Sequence, residues 1–144
     1  MNERIKHLVE AGAIFLDAPV GSRALELANA AFQQMRASIL PESLVIFYKS
    51  FGGAIFGDTC VFPLDDIERS GRNYIIPGII QVNRKMAGFA VLRGRTVWGR
   101  NQFYLFSCDV AGNLYMHDVL TLQVLRKYTD FYVALTDCLL VGKI

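Results

Sequence analysis

The feature that most restricts this chain is a change of hydrophobic period at Gly52-Gly53. Upstream, after the fair N-cap Ser22, the apolar residues Leu25, Ala28, Phe32, Met35 and Ile39 recur at alternating steps of three and four, which places them on one helical stripe. Pro41 suits the first turn of a second helix, with Leu44, Phe47, Tyr48 and Phe51 on one face, and the paired glycines end it. Downstream, Ala54 to Gly57 and Thr59 to Leu64 are short, β-rich and bounded by Gly, Asp and Pro, the pattern of small strands. Helices followed by a run of strands is the order of an α+β fold, not of alternating βαβ units.

The remaining segments extend this order. Met1 to Asp17 accommodates a short helix with one turn of strand, Leu64 to Glu68 a helical turn, and Pro77 opens a short helix through Val82 towards Met86. Val91 to Trp98 reads as a strand broken by turns beside Gly94 and Gly99. The clearest hairpin spans Phe103 to Val119, where Asp109-Val110-Ala111-Gly112 matches a type I turn ending in a left-handed glycine. Setting Asp109 opposite Asn113 puts Tyr104, Phe106 and Cys108 on one face with Leu114 and Met116, and leaves Asp118 at the rim. A two-residue Gly112-Asn113 turn would mix Asp109 into that apolar face, so the first register is preferred. Leu122 to Tyr128 supplies one more strand, and Asp130 caps a last helix whose Phe131, Leu135, Cys138 and Leu139 point inward before Gly142. The predicted core joins Phe47, Phe51, Phe106, Leu114, Met116, Leu135 and Leu139.

With 144 residues, 53% of them hydrophobic, the chain has the length of one domain, residues 1–144, and enough apolar side chains for a real core. A formal charge of +2 is too weak for whole-protein phosphate-backbone binding, so charge has to be read locally. Cys60, Cys108 and Cys138 form an odd set without a CxxC pair, which argues against a disulfide framework and a zinc site and fits a reducing compartment. Glu10 and Asp17 interrupt the apolar stretch that follows Arg4 and Lys6, so no signal peptide is expected. The stretches at Phe89 to Leu92 and Leu139 to Val141 fall far short of the roughly 20 apolar residues that span a bilayer. A soluble, cytoplasmic protein is expected.

Chemistry-bearing residues are sparse. The only histidines are His7 and His117, and Asp118 next to His117 points to the opposite strand face, so it does not orient the ring. Cys108 and His117 make a nucleophile and base only in a register that sets them opposite each other, which the preferred one does not; the alternative is a buried structural thiol and a rim histidine. Asp65, Asp66 and Glu68 lie within one turn without His or Cys nearby, and fit a helix N-terminal charge cluster better than a metal site. Gly52-Gly53 lacks the Lys-Ser/Thr that a phosphate loop requires. No cofactor and no metal are expected. One local feature stands out: Arg69, Arg72, Arg84, Lys85, Arg93, Arg95 and Arg100 occur with no acidic residue between Arg69 and Arg100. Arg93, Arg95 and Arg100 surround Val97-Trp98, a basic loop with an aromatic centre. It suits a protein contact through Arg and Trp, or a solvated rim over a core tryptophan, better than nucleic acid, for which no fold-level motif is present. The candidate partner-binding residues are Arg84, Lys85, Arg93, Arg95, Trp98 and Arg100.

Taken in order, Leu40-Pro41, Phe47-Tyr48, Phe51-Gly52-Gly53, Val61-Phe62-Pro63-Leu64-Asp65-Asp66-Ile67, the aromatic hairpin Phe103 to Asp118 and the closing segment Asp130 to Leu140 resemble the SUKH superfamily. That superfamily (Smi/Knr-like) groups bacterial immunity proteins with fungal cell-wall-synthesis regulators. The resemblance covers roughly residues 20 to 142, and Tyr128-Thr129-Asp130-Phe131 with Cys138-Leu139-Leu140 looks most like a YrhA-like bacterial branch. It implies an α+β domain that works by binding without catalytic residues, most often an immunity protein that neutralises a cognate toxin. The alternatives are an intracellular adaptor or regulator of the same fold that binds an endogenous partner and, more distantly, a hydrolase using Cys108 or His117. Many toxins met by the family are nucleases, whose basic faces call for an acidic immunity surface. The basic run in this chain departs from that expectation.

Overall fold

The computed structural model describes residues 3–68 and 75–140. Its elements are α1 (Glu3–Ala11), β1 (Ile14–Phe15), α2 (Ser22–Gln34), α3 (Glu42–Ser50), β2 (Ala54–Phe56), β3 (Thr59–Val61), β4 (Ile67–Glu68), β5 (Ile75–Ile76), α4 (Ile79–Met86), β6 (Arg95–Arg100), β7 (Tyr104–Asp109), β8 (Leu114–Asp118), β9 (Val124–Tyr128) and α5 (Phe131–Leu140). Among the described residues, seven strands form one antiparallel sheet in the order β1-β2-β3-β6-β7-β8-β9, and β4 pairs with β5 apart from it. The architecture is α+β, with helices leading, a central antiparallel sheet and a closing helix.

The period change at the paired glycines marks the boundary expected of it. Leu44, Phe47 and Tyr48 are buried along α3, and the Phe51 amide makes the last helical bond, to the Phe47 carbonyl. Gly53 then adopts φ +146, with its α-carbon against the Val61 carbonyl, where a Cβ would sit 2.9 Å from that oxygen. Only glycine fits a positive φ at so close an approach.

Four local expectations need correction. Ser22 is the first helical residue, and Gly21 occupies the N-cap of α2 without a side-chain acceptor. The stripe reaches Met35 but not Ile39, because Arg36 turns into the left-handed region at φ 59 and closes the helix. Leu64 to Glu68 is not a helical turn: Ile67 and Glu68 pair with Ile76 and Ile75, and the Asp66 carboxylate accepts the Gly78 amide at 2.6 Å ahead of α4. Asp65, Asp66 and Glu68 therefore do not start a helix of their own. Val91 likewise belongs to a short 3-10 turn over Ala90–Leu92, and β6 begins at Arg95.

The hairpin forms in the preferred register. Cys108 faces Leu114, Phe106 faces Met116 and Tyr104 faces Asp118, while the Asp109 amide bonds the Asn113 carbonyl and Gly112 takes φ +89. Asp109 Oδ1 also accepts the Ala111 and Asn113 amides, which fixes the turn. Its apolar face meets α5 over a core that includes Trp98, Phe106, Leu114, Phe131, Leu135 and Leu139. Phe47, Phe131, Trp98 and Phe106 form a chain of tilted rings at successive separations of 5.6, 5.5 and 5.6 Å. Phe51 and Met116 are half-buried against this cluster. Asp130 caps α5 through the Tyr132 amide at 2.9 Å.

One element joins the sheet by a different route. β3 pairs with β6 at Arg100 and Gly99, and the Phe62 amide just past β3 bonds the Trp98 carbonyl at 2.9 Å, which leaves the Val97 end of that β6 edge to α4. Asn83 of α4 fills the gap: its Oδ1 accepts the Val97 amide at 2.7 Å, and its Nδ2 donates to the Val97 and Ile79 carbonyls at 2.8 Å each. The side-chain amide acts as one more rung of the ladder. A bulge between Val97 and Gly99 then shifts the β6 register, so that Arg95 faces Asp109 and Arg100 faces Leu105.

Candidate functional site

The ends of β6 separate the basic residues. Arg84 and Lys85 are exposed on the last turn of α4, Arg93 is exposed after the 3-10 turn, and Arg95 begins β6 half-buried. Of these, Arg93 and Arg95 line one cavity at the start of the strand, and Arg84 and Lys85 do not. Arg100 lies at the other end, about 15 Å away by strand rise, and borders a different cavity of about 520 Å³ with Asp58, Thr59, Cys60, Ile75 and Pro77. Arg69 and Arg72 lie outside the described residues. Trp98 is fully buried at 0% exposure between Phe106 and Phe131, and its indole N–H has no acceptor among the described residues. It belongs to the core, so a partner docked on this fold does not touch it.

What replaces Trp98 at the centre is a cavity of about 150 Å³ lined by Arg36, Arg93, Arg95, Met35, Met86 and Leu92, among others. Arg36 enters from α2 because its left-handed turn ends that helix here, and the Gly94 amide bonds its carbonyl at 3.0 Å. Arg95 is held from two sides, by a hydrogen bond from Nη1 to the Val91 carbonyl at 3.2 Å and by the Tyr115 ring 4.4 Å beneath its guanidinium. Tyr115 in turn donates its hydroxyl to Asp109 Oδ2 at 2.7 Å. Burial alone would raise the Asp109 carboxyl, but the bonds it accepts from Tyr115 and from Asn113 and Ala111 hold it below the ordinary carboxylate range. Exposed Phe89 and Val91 stand on the segment between α4 and Arg93.

On the sheet face opposite the core, His117 makes a contact that neither Cys108 nor Asp118 supplies. Its Nε2 lies 2.7 Å from Ser107 Oγ and its Nδ1 lies 3.0 Å from the Leu122 carbonyl, with ring and hydroxyl both fully buried. The expected rim histidine is thus an interior one. A carbonyl only accepts, so Nδ1 carries the proton in the neutral ring, and Nε2 accepts from the Ser107 hydroxyl. The arrangement has the donor order of a serine-histidine pair but is sealed from solvent. Cys108 points to the other face, its thiol towards the Thr96 carbonyl, and burial pushes it well above its usual range. Burial also pushes Cys60 up to about 12 and raises Cys138, so all three free thiols are protonated and buried. Among the described residues, no three His, Cys, Asp or Glu side chains converge to hold a metal ion.

A pH dependence follows from His117. Burial holds its imidazole below the usual 6.5, the bond to Leu122 works against that, and Arg95 adds to the lowering. An unfolded chain takes up a proton near 6.5 that the native chain refuses, so His117 leaves stability intact above that pH and costs stability as pH falls through and below it. The slope in this window is expected to approach but not exceed about 1.4 kcal/mol per pH unit. Urea titrations from pH 7.5 to 5 check it. His117→Gln should flatten that window and leave the separate loss below about pH 4, which Asp109, Asp118 and Asp130 produce through their lowered carboxyls. A wild-type slope that survives in His117→Gln would refute the assignment.

Comparison with protein-family models and with curated proteins finds no match to this sequence. Among the described residues, no helix is long and apolar enough to cross a membrane.

Proposed function

We propose that this chain is a non-enzymatic binding domain of the SUKH type, a cytoplasmic immunity protein that neutralises a toxin by engaging an acidic face of it. The observation that carries the acidic partner is the cluster of Arg36, Arg93 and Arg95 at the start of β6, where among the described residues no Asp or Glu lines the cavity, with Arg84 and Lys85 exposed on the last turn of α4 and Phe89 and Val91 exposed on the segment that follows. Arginines flanked by apolar side chains are the composition of a protein-binding surface rather than of a simple solvated rim. The α+β order of elements and the motif run from Leu40 to Leu140 support the family. The sealed Ser107 and His117 and the three protonated thiols favour binding over hydrolysis.

Rim charges set the rate of encounter more than the lifetime of a complex. Arg84 and Arg93 are the residues to reverse, since both are exposed, whereas Arg95 also holds Tyr115. With the partner recovered by pull-down from the native cell, Arg84→Glu with Arg93→Glu should slow association by about tenfold at low salt and flatten its salt dependence. Folding should change by less than about 0.5 kcal/mol. Surface plasmon resonance at two salt concentrations reads both effects. Wild-type kinetics at both would place the interface elsewhere.

A further inference from the structure

We infer that the cavity between α2, α4 and the start of β6 is a binding site for a phosphate group, held by Arg36, Arg93 and Arg95. Among the described residues, three guanidinium groups line the cavity and no carboxylate does. The C-terminal ends of α2 and α4 also meet there, through Met35 and Met86, and each helix end presents the equivalent of roughly half a negative charge. Three positive charges less two halves leave about +2. Capping the helix ends therefore does not account for all three arginines. A single carboxylate would satisfy one guanidinium fork and leave a surplus, whereas a phosphate monoester or inorganic phosphate carries about −1.5 to −2 near pH 7 and offers several acceptor oxygens.

Size narrows the ligand further. A cavity of about 150 Å³ holds a tetrahedral oxyanion with some of its water but is smaller than the roughly 300 Å³ at which sites for larger organic ligands begin. A nucleoside does not fit inside. The donors are also partly fixed in advance: Arg95 is clamped between the Val91 carbonyl and the Tyr115 ring, while Arg36 and Arg93 are exposed at the mouth and can close on an incoming anion. Asn83 offers nothing to the ligand, because its amide is spent on Val97 and Ile79.

Arg36 supplies a second, independent observation. It occupies the left-handed position that closes α2, at φ 59, where glycine or asparagine is the unstrained choice. A strained arginine whose side chain lines a basic cavity is better explained by what its guanidinium binds than by helix termination, which glycine performs better.

This strain gives the test its discriminating variant, and no partner protein is needed. Purified full-length chain is titrated with sodium phosphate and with a phosphoserine peptide, by calorimetry and by thermal unfolding, against sodium chloride at matched ionic strength. The wild type should bind phosphate saturably at one site and gain thermal stability beyond the chloride control. Arg93→Gln and Arg36→Gly should each weaken binding about tenfold or more. Arg36→Gly should meanwhile keep or raise the phosphate-free unfolding midpoint, a split that a purely structural arginine would not produce. Lys127→Gln, on exposed β9, should bind as the wild type does. Tighter binding of the phosphoserine peptide points to a phosphorylated side chain as the natural ligand, and tighter binding of inorganic phosphate points to the free ion. Binding of neither, an effect that chloride reproduces, or wild-type affinity in both arginine variants would overturn the site.

Discussion

Truncating Phe106 to Ala is expected to cost about 3 to 5 kcal/mol, and Leu135 to Ala about 2 to 5 kcal/mol. Both side chains have 0% exposure and sit where the hairpin meets α5. Phe106 touches the Trp98 ring at 5.6 Å and the Tyr128 ring at 6.5 Å, so its removal opens a void that large rings on two strands cannot readily fill. Leu135 points at the same cluster from the helix side. A domain of this size has a total stability of about 5 to 15 kcal/mol, so either change removes a large fraction of it. Denaturant titration should show lower midpoints with little change of slope, and thermal midpoints about 8 to 16 °C lower for a loss near 4 kcal/mol. Phe103→Ala is the control, because that ring is half exposed at the start of the hairpin. If the two buried truncations leave the midpoint where it was, this packing is wrong.

What the sequence makes legible is what depends on neighbours in the chain. The hairpin register follows from Asp109, whose carboxylate organises the turn within four residues of itself, and from the apolar alternation that any slip would expose. The stop at Gly53 is equally local. Leu64 to Glu68 is not, since what makes Ile67 a strand residue is Ile76 across the small sheet, and local composition carries no trace of that pairing. The same limit applies to the site. A run of charges draws the eye to residues adjacent in sequence, yet Arg100 goes to the far end of β6, while Arg36, more than 50 positions upstream of Arg93, arrives through a left-handed turn that no glycine announces. Ser107 and His117 were within reach of the register itself. With Asp109 opposite Asn113, Ser107 faces Tyr115 and Leu105 faces His117, so Ser107 and His117 are diagonal neighbours on one face. Looking for a partner to His117 beside it in sequence, at Asp118, hides the one across the strand.

Asn83→Ala is expected to lower stability by about 2 to 4 kcal/mol, a large loss for one polar side chain. The reason is the position of Val97 on an edge that β3 does not reach. Its amide and carbonyl face α4, both are buried, and the Asn83 side chain satisfies both, at 2.7 and 2.8 Å. Deleting the side chain strands a donor and an acceptor in an apolar interior, at about 1 to 3 kcal/mol for each group left unpaired, less whatever water can repair. Hydrogen exchange isolates the cause. The Val97 amide should lose protection in Asn83→Ala by more than the global loss of stability explains, while the Phe106 and Cys108 amides, deeper in the sheet, should follow the global change alone. Because Asn83 ties α4 to β6, the variant also loosens the wall that carries Met86 towards Arg93 and Arg95, so phosphate binding should weaken although no arginine has changed. Val97 protection that merely tracks global stability would mean that packing, not the side-chain rung, holds α4 against the sheet.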